Sequence, residues 1–306
     1  MMRLERVQAQ QFASEMEVPH FYSTAAFTEL NRHKAADVHY LLFGDGETRL
    51  GIILGETDEA LKSPFSAPFG GLCQKKKQRL ETIDEAVRLL RDYGRQQGKK
   101  IQITLPPLIY NEPFITNQLS AFSRHGSIRW MDVNYHFTMA RFQQYMQVIG
   151  IKARQKLKHA MKEDFQFRRA ETESDIRAAY EVIRQNRRER GYQLRMSLED
   201  VLDTIRVIPA DFFLLSYRGV CVAAAQVFRV TRDIYQLIYW GNLGEYSAMR
   251  PMNLLAYRLF EYYYNCSGVH VLDIGPSSQE GEPNYGLIDF KEGVGCQPSC
   301  KCSFEL

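Results

Sequence analysis

The chain has 306 residues, and a chain of this length is expected to form two domains of about 150 residues each. Hydrophobic residues make up 45% of it and charged residues 25%, as in ordinary soluble globular proteins. Its formal net charge of +3 is too small to indicate a nucleic-acid-binding protein, so such a function would have to rest on local clusters of basic residues.

The sequence lacks the apolar segments that direct a chain into or across a membrane. Its start, MMRLERVQAQQF, has no apolar core of the kind that a signal peptide needs. No stretch approaches the ~20 apolar residues of a membrane span. We therefore expect a cytoplasmic protein without a membrane span, whose six cysteines are reduced.

The strands and helices of the N-terminal half can be predicted from its apolar spacing. Strands are predicted at Arg3–Val7, Val38–Phe43, Thr48–Leu54, Lys100–Leu105 and Trp130–Met139. Helices are predicted at Phe21–Arg32, Thr82–Gln97 and Phe114–Arg124. Gly44-Asp45-Gly46 indicates a hairpin between two of the strands, because Asp-Gly tolerates the positive φ angles of tight turns.

The C-terminal half shows the same kinds of pattern more clearly. Strands are predicted at Phe165–Arg169, Phe212–Tyr217, Val220–Val230, Ile234–Gly241, His270–Ile274 and Ser299–Leu306. Helices are predicted at Glu173–Arg190, Ser197–Val207 and Met252–Tyr264, and a short helical turn precedes the last strand. Ser197 is a good N-cap for the second helix, and Arg218-Gly219 indicates a hairpin turn.

Three cysteines cluster near the C-terminus as Cys296-x3-Cys300-x-Cys302. A zinc site there would need a fourth ligand from elsewhere, such as Cys266 or His270. The alternative is that Cys300 and Cys302 lie on one buried face of the last strand. We favour the strand and expect no metal, because reduced cysteine is among the most buried residue types.

The element order β-α-α-β-β-β-α-β-α-β in the C-terminal half is the order of the GNAT acyltransferase superfamily. The N-terminal half follows a shorter version of it. We therefore predict an α/β fold (an α+β mixed sheet) with two tandem GNAT-like domains. These are residues 1–141 and 165–306, separated by a basic helical connector at residues 142–164.

Three segments, in a fixed order along the chain, indicate which family of the GNAT superfamily the sequence resembles. They are Tyr239-Trp240-Gly241-Asn242 followed by Met252-Asn253-Leu254-Leu255, then Leu272-Asp273-Ile274-Gly275, then Phe290-Lys291-Glu292-Gly293-Val294-Gly295. Together they resemble the FemAB-type transferases and FemAB-like acetyltransferases over about half of the chain. In the N-terminal half, only Pro68-Phe69-Gly70-Gly71 is similar to that family.

The resemblance implies a binding site for an acyl donor. In GNAT proteins the fourth strand of the domain separates from the fifth, and a pantetheine arm adds to the exposed strand edge while the next helix start holds a phosphate. The corresponding helix start here lies within Ala248–Leu254. Its implied donor-binding residues are Tyr239, Trp240, Asn242, Ser247, Arg250 and Asn253. The glycine-rich pyrophosphate loop of ordinary GNAT enzymes is missing, and the alternative for the aromatic pair is a strand cap.

Lys291 is the leading candidate for a catalytic side chain. In the FemAB family the lysine of this motif lies at the active site, where a cation can stabilise the charge that develops on the acyl carbonyl. Between Phe290 and two glycines, its backbone is expected in a constrained turn. The alternative is an exposed turn lysine, the commonest position of any lysine.

Acyl transfer to an amine also requires a proton donor and a base. Tyr239 and Tyr285 are candidate acids, and Asp273 or Glu292 is a candidate base. Asp273 could instead brace a loop by hydrogen bonding, which we consider the better interpretation. The sequence contains no Gly-x-Ser-x-Gly or HExxH pattern, which argues against a hydrolase.

The basic residues of the connector, from Lys152 to Lys162, either form solvated surface or attract an anionic substrate. Relatives in the family that use aminoacyl-tRNA often carry a long coiled-coil arm, and no heptad run of that length occurs here. We therefore predict an N-acyltransferase that moves an acyl group from a thioester, acyl-CoA or acetyl-CoA, to a small-molecule or peptide-like amine. The alternatives are an aminoacyl-tRNA-dependent transferase of peptide or cell-wall precursors, and a non-catalytic GNAT-fold binding protein.

Overall fold

A computed structural model describes residues 2–306, which form two compact units. The first unit contains the chain up to Asn134 together with Ser278–Glu282 and Ser299–Leu306, and the second contains Tyr135–Ser277 and Pro283–Pro298. This division differs from the predicted boundaries at 141 and 165. The basic connector belongs to the second unit, and most of the last strand belongs to the first.

The first unit is a mixed sheet with helices. Its strands are β1 Arg3–Val7, β2 Val38–Gly44, β3 Thr48–Glu56, β4 Ala60–Ser63, β5 Cys73–Gln74, β6 Lys100–Thr104 and β7 Ser127–Thr138, which runs on into the second unit. Its helices are α1 Ala9–Glu15, α2 Ala25–Leu30, α3 Leu80–Gln96 and α4 Glu112–His125. Strands β1 to β4 follow one another antiparallel, β6 pairs with β4 in parallel, and β5 pairs with β3.

Two local predictions for this unit are confirmed. Gly46, with φ +115°, closes the hairpin between β2 and β3. Helix α3 buries Ile83, Ala86 and Leu90 along the face that the apolar spacing indicated.

The second unit has the predicted GNAT order of elements up to the last helix, and the final strand lies mostly in the first unit. Its strands are β8 Phe165–Arg169, β9 Ala210–Tyr217, β10 Val220–Arg229, β11 Ile234–Asn242 and β12 Val271–Pro276. Its helices are α5 Tyr145–Val148, α6 Ile151–Ala160, α7 Glu173–Glu189, α8 Leu198–Val207, α9 Pro251–Asn265 and α10 Tyr285–Gly293. Two short strands, β13 Ser278–Gln279 and β14 Glu282–Pro283, precede α10, and β15 Gln297–Glu305 ends the chain. The fold is therefore α/β with a mixed sheet, as predicted.

Local chemistry explains where the elements of the second unit start and turn. Thr172 and Ser197 each accept a hydrogen bond from the backbone three residues on, in capping boxes that begin α7 and α8. Arg218 and Gly219 have φ angles of 51° and 83°, and they form the predicted tight turn between β9 and β10. Strands β8 to β11 follow the order β8-β9-β10-β11, all antiparallel.

Strand β15 returns to the first unit, where it pairs antiparallel with β6. Phe304 is buried and stacks on Phe122 of α4, with ring centroids 5.7 Å apart. Cys300 and Cys302 lie on the same side of the strand, with their Sγ atoms 3.1 Å apart. The strand interpretation of these cysteines is therefore confirmed.

Within residues 2–306, one group of three side chains could hold a metal ion, namely Asp37, His39 and Glu56. The carboxylates of this group already bind protein cations. Arg6 contacts Asp37 at 2.5 Å, and Lys99 contacts Glu56 at 2.5 Å. The group is thus an ion-pair network that joins strands of the first unit. In the same part of the chain, no helix is both long and apolar enough to span a bilayer.

Buried His20 should make the first unit sensitive to acid. Burial lowers the pKa of His20 to about 3, and its ring packs edge-on against Phe69 at 5.0 Å. The unfolded chain then binds a proton below about pH 6.5 that the folded chain excludes, so stability falls as the pH falls from that value towards 3. Between pH 7 and pH 5 the loss should be about 2 kcal/mol.

Urea unfolding of the full chain at these two pH values tests this expectation. The variant His20→Phe should lose about 2 kcal/mol less than the wild type between them. The exposed His33→Gln variant is the control and should behave like the wild type. Equal losses in the wild type and His20→Phe would show that His20 does not cause the acid sensitivity.

Candidate functional site at the separation of two strands

The second unit has an open strand edge where β11 leaves β12. The two strands pair in parallel only from Ile234–Val271 to Gln236–Asp273. Beyond Gln236, β11 continues for six residues to Asn242 and stays paired with β10 on its other side. Its edge towards β12 therefore carries backbone groups that a strand-like ligand can pair with.

Asp273 fixes the point at which the strands separate. Its carboxylate accepts hydrogen bonds from Nε2 of Gln236 at 2.7 Å and from the backbone N–H of Gly275 at 2.9 Å. Gly275 then takes a φ of +76°, a left-handed conformation that turns the end of β12 away. The side chain is fully buried. This geometry supports the predicted bracing role of Asp273 over a role as base.

Lys291, on α10, contacts the end of β12 close to this point. It is 2% exposed, and its Nζ donates to the carbonyls of Gly275 at 2.8 Å and Pro276 at 3.0 Å. Its Nζ also lies 5.7 Å from the ring centroid of Tyr135. The prediction of a constrained turn is wrong, because Asn284 caps a regular helix that runs from Tyr285 to Gly293. Both the helical position and the burial exclude the exposed-turn alternative.

A chain of side-chain contacts links α10 to the other side of β11. Trp240 of β11 packs against Phe290, next to Lys291, with ring centroids 5.5 Å apart. At the start of α10, Asn284 donates to the Tyr192 hydroxyl at 3.0 Å. Tyr192 also lies close to Arg187 of α7, and the same arginine lies close to Tyr239 of β11. Side chains of β11 beyond the separation thus contact α10 through Trp240 and α7 through Tyr239.

Arg187 of α7 lies between Tyr239 and Tyr192, and the sequence analysis did not single it out for the site. Its guanidinium carbon lies 5.3 Å from the ring of Tyr239 and 5.8 Å from that of Tyr192. Burial lowers the pKa of Arg187. Within residues 2–306 it forms no ion pair, and its buried Nε has no hydrogen-bond partner. A partly buried guanidinium without a carboxylate is unusual, and it is able to bind an anionic group.

Gln226 is a second buried polar group on this face. It lies opposite Tyr239 in the register of β10 and β11, and a bulge at Ile238 follows this pair. The side chain is fully buried, and neither its amide nitrogen nor its amide oxygen has a hydrogen-bond partner in the part of the chain that the structure describes. Buried amides are normally satisfied, so a polar ligand is the natural partner.

Of the two candidate acids, Tyr239 lies against Arg187, whereas Tyr285 is exposed to solvent. Burial raises the pKa of Tyr239, although the Arg187 guanidinium and the backbone N–H groups of Arg195 and Met196 oppose the shift. Its hydroxyl is therefore protonated at neutral pH. Tyr285 is 73% exposed at the first position of α10.

The predicted donor-binding segment after β11 has mostly structural contacts. Asn242 donates from Nδ2 to the Leu243 carbonyl at 2.8 Å and to Oγ of Ser247 at 3.0 Å. Asn253 is buried, and exposed Arg250 adopts a left-handed conformation with φ 62°.

The start of the helix after this segment offers few free backbone N–H groups to a phosphate. Helix α9 begins at Pro251, within the predicted start Ala248–Leu254, and this proline has no N–H. The Asn253 N–H donates to the Arg250 carbonyl at 3.1 Å. At most one of the first three backbone N–H groups can therefore face a phosphate.

The part of the chain that carries this site matches a known family model. Residues 151–291 match the family model described as an acetyltransferase (GNAT) domain, and Lys291 is the last residue of the match. The predicted resemblance to a GNAT domain is confirmed for this part of the chain. A comparison with curated protein sequences finds no match.

Solved structures with this fold cover almost the whole chain. FemX has a TM-score of 0.66 at 11% identity, over 98% of this chain and 96% of its own. The C-terminal domain of a putative lysylphosphatidylglycerol synthetase from Agrobacterium fabrum has 0.62 at 12% identity, over 97% and 91%. A tandem GNAT protein from the clavulanic acid biosynthesis pathway has 0.55 at 13% identity, over 100% and 98%. These likenesses confirm the tandem GNAT fold.

Proposed function

We propose that this chain is an N-acyltransferase that moves an acyl group from a thioester to an amine at the open edge of β11. The observation that carries the proposal is the loss of pairing between β11 and β12 beyond Gln236 and Asp273. A pantetheine arm contains two amides and can add to such an edge as a strand does. This arrangement would place the thioester carbonyl near the point where the strands separate, above Lys291.

The proposed reaction is a direct transfer. The amine nitrogen attacks the thioester carbonyl, the C–N bond forms, and the C–S bond breaks as the tetrahedral intermediate collapses. The proton lost by the nitrogen balances the proton gained by the departing sulfur. Tyr239 is the proposed donor of that proton, since its raised pKa keeps the hydroxyl protonated. Lys291 supplies positive charge near the developing oxyanion and holds the end of β12 in place.

The proposed acceptor is an amine that also carries an anionic group. Arg187 would bind that group, because its partly buried guanidinium has no carboxylate partner within residues 2–306. The unsatisfied amide of Gln226 on the same face would bind a further polar group of the acceptor. Both side chains flank Tyr239, so the acceptor nitrogen would lie beside the proposed acid.

A second candidate function is aminoacyl transfer with aminoacyl-tRNA as donor. The observation that favours it is the start of α9. Because Pro251 has no N–H and the Asn253 N–H is already bonded, few backbone donors remain there for the pyrophosphate of CoA. One structural neighbour is named a putative lysylphosphatidylglycerol synthetase, and that name describes a lysyl group joined to a lipid. Against it, the longest helices of the described chain have 17 residues, so residues 2–306 contain no long coiled-coil arm.

Transfer from a minimal thioester tests the leading proposal. Acetyl- and octanoyl-pantetheine, acetyl-CoA and aminoacyl-tRNA are each incubated with a panel of amines, and products are detected by mass spectrometry. We expect N-acylated product from the pantetheine thioesters, lowered about 100-fold in Tyr239→Phe. Product from aminoacyl-tRNA alone would establish the second function. A protein that binds a thioester without turnover on any amine would be a binding module.

A further inference from the structure

Helix α6 presents a basic face that the proposed transfer does not use. Its buried residues Ala153, Leu157 and Ala160 pack the helix against the rest of the second unit. The opposite side is exposed along its whole length. The cations of this segment are Lys152, Arg154, Lys156, Lys158 and Lys162, and no acidic residue occurs among them before Glu163.

These cations are not neutralised within the protein. None of the five has an ion-pair partner in the part of the chain that the structure describes. Helix α7, the next helix along the chain, differs in this respect. On α7, Arg177 pairs with Glu173 and Arg184 pairs with Glu181, each at 2.6 Å. A dense patch of unpaired positive charge attracts acidic partners over distances close to the Debye length.

Exposed apolar side chains lie at both ends of this basic segment. Ile151 is 73% exposed and Met161 is 44% exposed. Exposed apolar groups among cations suit a protein partner, since protein interfaces combine a buried apolar centre with a charged rim. The phosphates of a nucleic acid would use the cations alone.

The face begins next to the helix that carries Lys291. The Gly150 N–H donates to the Gly293 carbonyl at 3.0 Å, and Gly293 lies two residues after Lys291. A Cβ added to Gly293 would lie 3.7 Å from Cβ of Ala153, so the start of α6 and the end of α10 are in close contact. A partner bound to α6 would therefore lie close to the proposed thioester site.

We propose that the exposed face of α6 docks an acidic carrier protein that delivers the acyl group on a phosphopantetheine arm. This inference rests on the proposed thioester donor and names its source. Carrier-bound pantetheine lacks the adenosine and the pyrophosphate of CoA. This agrees with the start of α9, where few backbone N–H groups are free to bind a pyrophosphate. Negative side chains of the carrier contact the lysines of α6, and Ile151 and Met161 pack against its apolar surface. The arm then reaches the open edge of β11.

Direct binding tests the docking face independently of transfer. A bacterial acyl carrier protein, in its phosphopantetheinylated form with a fluorescent dye, is titrated with the full chain and followed by anisotropy. The variant Lys152→Glu, Lys156→Glu, Lys158→Glu should bind it at least about tenfold more weakly. Wild-type binding should also weaken when the salt is raised from about 50 mM to about 300 mM. The control is Lys75→Glu, Lys76→Glu, Lys77→Glu, which makes the same charge change on an exposed loop of the first unit and should bind like the wild type.

Two further measurements separate docking from the chemistry. Transfer from octanoyl-pantetheine, which has no carrier, should be the same in the α6 variant and the wild type. Equal carrier affinity in the α6 variant and the wild type, or no carrier binding at all, would overturn the docking proposal even if the pantetheine thioester is turned over. Binding of labelled tRNA that is lost in the α6 variant, without carrier binding, would identify the face as a nucleic-acid surface. Absence of turnover with all thioesters would count against the proposed function alone.

Discussion

The variant Lys291→Met should transfer acyl groups at least about 100-fold more slowly than the wild type, the usual loss when a preorganised group that stabilises an oxyanion is removed. Methionine has a similar length and apolar stem, so it fills the space beside Tyr135 without the charge. The loss should appear in kcat rather than in KM for the thioester, because the cation acts on charge that develops during the reaction.

Lys291→Met will also remove the donor to the carbonyls of Gly275 and Pro276, which should cost about 1–3 kcal/mol of stability. Thermal unfolding must therefore accompany the kinetics, and rates are compared per folded molecule. The exposed Lys77→Met is the matched control and should leave both quantities unchanged. If Lys291→Met is destabilised but keeps the wild-type rate per folded molecule, Lys291 only supports the end of β12.

Much of the fold could be predicted because its signals are local. The turn at Arg218 and Gly219 requires two positive φ angles, and the sequence supplies a glycine at the second position. Ser197 and the acidic Asp200 form a capping box that lies within four residues. Such features depend on neighbours in the chain, so a single sequence contains them in full.

The departures from prediction arise from contacts between distant residues. Strand β15 pairs with β6, about two hundred residues earlier, and nothing in its own pattern identifies that partner. The same limit explains the domain boundaries, which assigned this strand to the second domain. Helix α10 was underestimated because its glycines are poor helix formers, whereas the cap by Asn284 and the packing of Phe290 on Trp240 stabilise it.

The candidate site was predicted in part. Lys291 and Asp273 both contact the backbone of Gly275 where β11 and β12 separate, whereas Tyr239 lies three residues beyond Gln236 and contacts Arg187 of α7. Arg187 and Gln226 were missed, because an arginine on an amphipathic helix and a glutamine in a strand are unremarkable in sequence. Only the fold shows that Arg187 is partly buried between two tyrosines. The available signal was weak: Arg184, Arg187, Arg188 and Arg190 formed a basic group, and Arg187 differs from Arg184 only by its position on α7.

Arg187 leads to the second large prediction, which concerns the choice of acceptor. The wild type should prefer an amine with an anionic group over its neutral counterpart by about 30- to 100-fold, the effect of a charge-assisted hydrogen bond to a partly desolvated guanidinium. Glucosamine 6-phosphate against glucosamine, and an amino acid against its carboxamide, are suitable pairs. In Arg187→Gln the preference should largely disappear, through a higher KM for the anionic acceptor.

The neighbouring Arg188 provides a matched control for this change. Its side chain is exposed and hydrogen-bonds to Gln185, so Arg188→Gln removes the same charge from α7 without touching Tyr239 or Tyr192. It should keep the wild-type preference. A loss of preference in both variants would indicate a general charge effect, and an unchanged preference in Arg187→Gln would exclude an anion site at Arg187. Arg187→Lys should restore only part of the preference, because an ammonium group cannot form the two parallel hydrogen bonds of a guanidinium.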